Sequence, residues 1–167
     1  MRQISALTCV TALIIAATAG AATAAHASGP AATQQVDGVI VVSGSTCTWT
    51  GARTSANPPA SLTIDRSSIN APGGNLSCSG GITAVLNNNP TVTFDDAAGL
   101  ARADVIDITG TQYGISCRYK ASNVLLNRDG TTRRYVNQAF TATKTSGGFL
   151  CPGSVTTAAG DASLLFR

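Results

Sequence analysis

Ile115-Ser116-Cys117-Arg118-Tyr119-Lys120-Ala121-Ser122 puts apolar residues and a cysteine on one parity and Ser, Arg and Lys on the other. Side chains two apart share a face of an extended chain, so this stretch predicts a strand with one wet face and Cys117 pointing inward. The pattern repeats on either side. Val39-Ile40-Val41-Val42 ends at Ser43-Gly44, Thr46 to Thr50 carries Cys47 and Trp49, and Leu62-Thr63-Ile64-Asp65 alternates again. Ile82 to Leu86 and Thr91 to Phe94 predict a hairpin across Asn87-Asn88-Asn89-Pro90. Asn123 to Leu126 and Thr131 to Val136 flank the turn Asn127-Arg128-Asp129-Gly130, and Phe140 to Thr145, Leu150 to Thr156 and Ala162 to Phe166 follow. Only Val105 to Ile108 and the Ala-rich stretch Ala97 to Ala103 read partly as helix, and Gly99 weakens that reading. About ten short strands separated by turn residues predict an all-β domain, an antiparallel β-sandwich of immunoglobulin-like or Greek-key type.

Composition agrees. The 167 residues include 11 Lys and Arg against 8 acids, all of them Asp, with 44% apolar and 5% aromatic residues. Without Glu and with little Lys, long surface helices lack their usual material. A net charge of +3 gives no field that would argue for nucleic acid or an anionic surface as partner.

Residues 1–27 hold one cation, Arg2, then an uncharged apolar stretch from Ile4 to Ala25 and the small pair Ala25 and Ala27 around His26. This is the layout of a secretory signal peptide cleaved after Ala27. Residues 28–35 are small and polar and read as a flexible lead-in, and residues 36–167 as the domain. With the signal removed, no transmembrane segment is expected and the protein is placed outside the cell or on its wall. Cys9 leaves with the signal. Cys47, Cys78, Cys117 and Cys151 remain, an even set in an oxidising compartment, and are read as two disulfides. Three pairings are open, and the sequential one, Cys47 with Cys78 and Cys117 with Cys151, is preferred because each closes a local unit.

The lone histidine, His26, falls in the signal, so a mature chain has no imidazole for Ser-His-Asp, Cys-His or His-zinc chemistry. Asp95, Asp96, Asp104 and Asp107 form the densest acidic region and are the weaker alternative: a calcium site or an Asp-dependent extracellular enzyme if loops fold them together. Solvated turn residues are the simpler reading. Arg118, Lys120, Arg128, Arg133 and Arg134 are candidates for an anion-binding face on adjoining strands, although a solvated, solubilising surface is the favoured reading. Aromatic side chains for base stacking are sparse beside them, which argues against nucleic acid. Trp49, two residues after Cys47, shares its face and is read as core packing over the bridge. Asn75-Leu76-Ser77 is a formal glycosylation sequon and is read as accidental.

Several segments carry a resemblance to small secreted β-rich proteins of actinobacteria: the Ala-rich signal, Val39 to Gly44 before Cys47, Leu76-Ser77-Cys78-Ser79-Gly80-Gly81-Ile82, Ile106 to Gly110 before Gly114-Ile115-Ser116-Cys117, and the Cys151 segment. More distantly the chain is similar to the protein activators of alkane oxidation. That resemblance implies an extracytoplasmic accessory role in handling hydrophobic compounds, without an enzymatic step or a cofactor. The sequence therefore reads as a secreted, non-enzymatic binding or accessory protein whose partner is an apolar small molecule or an envelope component. An inhibitor or assembly protein acting through a sheet edge is the other non-enzymatic alternative.

Overall fold

The computed structural model describes residues 34–42 and 44–167; the signal peptide and most of the lead-in, residues 28–35, lie outside them. Twelve strands follow in chain order: β1 Gln35–Val42, β2 Ser45–Arg53, β3 Leu62–Thr63, β4 Asn75–Cys78, β5 Thr83–Leu86, β6 Thr91–Asp95, β7 Leu100–Gln112, β8 Ile115–Arg128, β9 Arg134–Asn137, β10 Phe140–Ser146, β11 Ser154–Thr157 and β12 Ala162–Phe166. Every pairing is antiparallel. Between β3 and β4 lies a 3-10 turn, Arg66–Ser68, capped by Asp65, whose carboxylate accepts from Ser67 N at 2.9 Å. Among the described residues no helix is long and apolar enough to cross a membrane.

The all-β expectation holds, but the sandwich does not. Eight strands close into a ring, β8 to β9, β12, β1, β2, β4, β5, β7 and back to β8, so the sheet is an eight-stranded antiparallel barrel. The cause is the length of β7 and β8, 13 and 14 residues. They pair along their whole extent, from Leu100 opposite Asn127 to Gln112 opposite Ile115. Each has room on its other edge for two partners laid end to end: β6 and then β5 on β7, β9 and then β10 on β8. One partner of each pair joins the ring, while β6 with β3 and β10 with β11 form side branches.

The hairpin predicted across Asn87 to Pro90 is accordingly absent: β5 and β6 lie along β7 and not against one another. The asparagines hold the chain to β7 where strand pairing lapses. Asn88 accepts from Asp107 N at 3.0 Å and donates to Val105 O at 2.8 Å, imitating a strand neighbour. The Ala-rich segment read partly as helix supplies the first residues of β7.

Along β7 and β8 the inward parity changes once. Ala101 and Ala103 are buried in the lower half and Ile106 and Ile108 face the interior above; opposite them, Val124 and Leu126 give way to Ala121. The change falls at Asp104 and Asn123, and Asn123 takes a φ of 55°. Asn is among the few residues that tolerate this left-handed geometry.

The two ends of the barrel are filled differently. Phe94, Tyr135 and Phe166 meet edge to face with ring centroids 5.2, 5.5 and 5.9 Å apart, a favourable arrangement for aromatic quadrupoles. Arg128 lies 5.5 Å from the centre of the Tyr135 ring and donates to its hydroxyl at 2.9 Å. These groups, with Leu62, Ile69 and Val92, make a dense closed end.

Candidate functional site

The opposite end gathers the hairpin between β1 and β2, the β4 to β5 turn, the β7 to β8 hairpin and the loop before β11. Its inward positions carry small side chains: Ala84 on β5, Gly110 on β7, Ala121 on β8 and Ala142 on β10. An eight-stranded barrel is just wide enough for side chains to fill or for one small ligand to enter. Here small residues leave the space unfilled, and a cavity of about 350 Å³ opens among them. Ile40, Leu76, Ile106, Ile108 and Phe140 form its floor and are also part of the wall of a second, deeper void of about 60 Å³ that reaches Trp49.

Both disulfides line the cavity through one of their cysteines. Cys47 is bonded to Cys78 across the paired strands β2 and β4, and Cys117 on β8 is bonded to Cys151 in the loop before β11. The sequential pairing preferred from the sequence is the one present. The bridges hold together an end of the barrel that its own side chains do not fill.

The rim of the mouth is largely apolar. All four large hydrophobic side chains exposed among the described residues, Tyr113, Ile115, Phe149 and Leu150, sit on the β7 to β8 hairpin and the loop facing it. Tyr113 is 91% exposed and Phe149 93%. Tyr113 and Gly114 have φ of 50° and 78°, the pair of left-handed residues that a two-residue hairpin turn with matching twist requires. A bulky aromatic at positive φ is strained, and such strain concentrates at binding sites.

Among the described residues, none that lines the cavity carries a charge. Tyr119 stands in its wall and donates to Pro152 O at 3.1 Å; burial pushes its phenol above the usual range, so it remains a neutral hydroxyl. Trp49 also faces the interior, as its spacing from Cys47 requires, but it lies across Gly38 on the neighbouring strand.

The five basic candidates do not share one face. Arg118 and Lys120 flank Asp107 on the outside of the barrel. Arg118 grips that carboxylate through two bonds of 2.7 and 2.9 Å, and the Lys120 amine is 3.9 Å away. Arg128 lies ten residues further along β8, roughly 33 Å at the rise of a strand, and pairs with Asp96 and Tyr135 at the closed end. Arg134 opens β9 and reaches Ser163 Oγ at 3.5 Å, and Arg133 precedes it.

The acidic candidates are equally dispersed. Asp95 accepts from Ala98 N at 3.1 Å in a turn, and Asp104 accepts from Thr91 N at 2.8 Å. Asp96 faces Arg128. Asp107 is buried, and the Arg118 guanidinium holds its carboxyl below the usual carboxylate range; burial opposes this, and the Asn87 amide, 3.0 Å away, assists it. Among the described residues no three His, Cys, Asp or Glu side chains gather in a geometry that could hold a metal. Asp107 with Arg118 is a structural clamp between β7 and β8.

Sequence reasoning reaches an apolar small molecule as a partner but no site to hold it. The signal is in the small residues on inward parity, Ala84, Gly110, Ala121 and Ala142, which stand beside larger inward neighbours such as Leu86, Ile108, Tyr119 and Phe140. Their meeting at one end depends on closure of the ring, which period two does not encode.

No family model, no curated protein and no solved structure matches the chain. Function is therefore argued from the site.

Proposed function

We propose that this is a non-enzymatic carrier of a small apolar molecule, held in the open end of the barrel and acting outside the cytoplasm as an accessory of the cell envelope. The observation that carries the reading is the 350 Å³ cavity with uncharged walls beneath an exposed apolar mouth. Its size is within the range of small-molecule sites, and burying apolar ligand surface there gains roughly 25 cal/mol per Å². The signal-like leader, the paired cysteines and the resemblance to activators of alkane oxidation support the location and the apolar ligand.

The test is binding of phenylnaphthylamine, an uncharged probe that fluoresces in dry surroundings, to the wild-type protein and to Gly110→Phe. A Cβ added at Gly110 meets nothing within 4 Å, so the new ring has open space to occupy. Saturable binding by the wild type and its loss in the folded variant support a cavity site. Equal binding by both overturns it.

A further inference from the structure

The walls of the cavity also select the chemical class of ligand. A carboxylate or ammonium taken from water into such a site needs an opposite charge, or it pays for its lost hydration. The cations near this end are committed elsewhere. Arg118 and Lys120 face Asp107 outside the barrel, and Lys144 donates to Cys151 O at 3.0 Å and Gly148 O at 3.4 Å. Of the acids near this end, Asp107 is held by Arg118, and Asp161, whose carbonyl accepts from Val41 N at 2.8 Å, does not line the cavity.

One corner of the mouth is polar without being charged. Ser45 at the start of β2 and Gln112 at the end of β7 both line the cavity. They converge on Gly80: the Gln112 amide donates to Gly80 O at 3.5 Å, and Ser45 Oγ lies 3.1 Å from where a Gly80 side chain would begin. A hydroxyl and an amide can exchange hydrogen bonds with a neutral oxygen but cannot neutralise an ion. The rest of the lining is dominated by aliphatic groups such as Ile82, Ile108 and Val155.

We propose that the cavity takes an uncharged aliphatic chain with a single neutral oxygen-bearing end, an alcohol or ester, placed at Ser45 and Gln112, and rejects the same chain ending in a carboxylate or ammonium. This rests on the carrier reading and narrows it.

The experiment is displacement of bound phenylnaphthylamine from the full-length folded domain by dodecanol, methyl dodecanoate, dodecanoate and dodecylammonium, each kept below micelle formation. Dodecanol and the ester are expected to displace the probe at concentrations about tenfold or more below those of the two ions. In Ser45→Ala with Gln112→Leu, dodecanol should lose its advantage over dodecane while dodecane itself still competes. Displacement by dodecanoate as effective as by dodecanol overturns the selectivity and leaves the carrier standing. If the probe does not bind the wild type, or binds Gly110→Phe equally, both ideas fall together.

Discussion

The Trp49 indole occupies the place where a side chain on Gly38 would be: a Cβ there would lie 1.9 Å from Trp49 Cζ2. The two residues are directly paired across β1 and β2, so the ring has no simple sideways escape. Gly38→Ala should destabilise the protein by about 3 kcal/mol, at the upper end of overpacking costs. Urea unfolding followed by the fluorescence of this single tryptophan measures it, and a loss below about 1 kcal/mol would show that the indole moves aside freely.

Gly110 presents the opposite situation, an inward position with empty space in front of it. Its φ lies outside the left-handed region, so a β-branched residue suits the strand there. Gly110→Val should raise stability by about 0.5–1 kcal/mol, chiefly by restricting the unfolded chain, while probe affinity falls. Thermal unfolding and a binding titration on the same sample check both halves. A variant that is stabilised and binds normally would place the ligand elsewhere.

Tyr113 should show the same trade by another route. Tyr113→Asn removes a bulky residue from positive φ and is expected to stabilise the hairpin by about 1 kcal/mol. Since Tyr113 lines the mouth, the probe should bind less tightly and dissociate faster. Stopped-flow dissociation kinetics would reveal the difference.

Asp107 makes stability depend on acid in a defined direction. Its carboxyl is held below the usual range when folded, so the unfolded chain takes up the proton first as pH falls. The Arg118 bond therefore contributes fully above about pH 4, the unfolded carboxyl's value, and is lost as pH drops through the lower folded value. Asp107→Asn should cost about 2 kcal/mol at neutral pH, discounted for the half-exposed Arg118, and the gap to wild type should close in acid. Parallel urea titrations from neutral pH to about pH 2 measure the gap, and a gap independent of pH would mean that the charge contributes nothing.

The two bridges span 31 and 34 residues, so each restricts the unfolded chain by about 4 kcal/mol on the loop-entropy model. Replacing Cys117 and Cys151 together by Ser should also loosen the open end locally. Hydrogen exchange is expected to quicken across residues 147–157 well before it changes in β9 and β12. Uniform acceleration through the barrel would assign the bridge to global stability alone.

What could be read from the sequence was local. The alternation of Ile115 to Ser122 showed a strand with Cys117 inward, and the even cysteine set gave both bridges. What escaped was the joining of that stretch to Asn123 to Leu126 as one strand. The inward parity reverses at Asn123, so the period breaks while the strand continues. The hairpin at Asn87 to Pro90 misled for a related reason: its turn residues serve as side-chain clips to β7, a use that depends on a strand still to come. Closure follows from the full-length pairing of β7 and β8, and the basic and acidic candidates could be sorted into pairs only once that pairing set their positions.

The pairing of Val36 with Phe166 gives the barrel a base as well as a mouth. Arg167 lies beside Gln35, its backbone N–H donating to Gln35 O at 2.9 Å, at the end sealed by the aromatic trio. A fusion or immobilising handle attached at Arg167 would leave from the foot of the vessel, so a copy fixed to a bead or sensor chip would stand with its rim facing the flow.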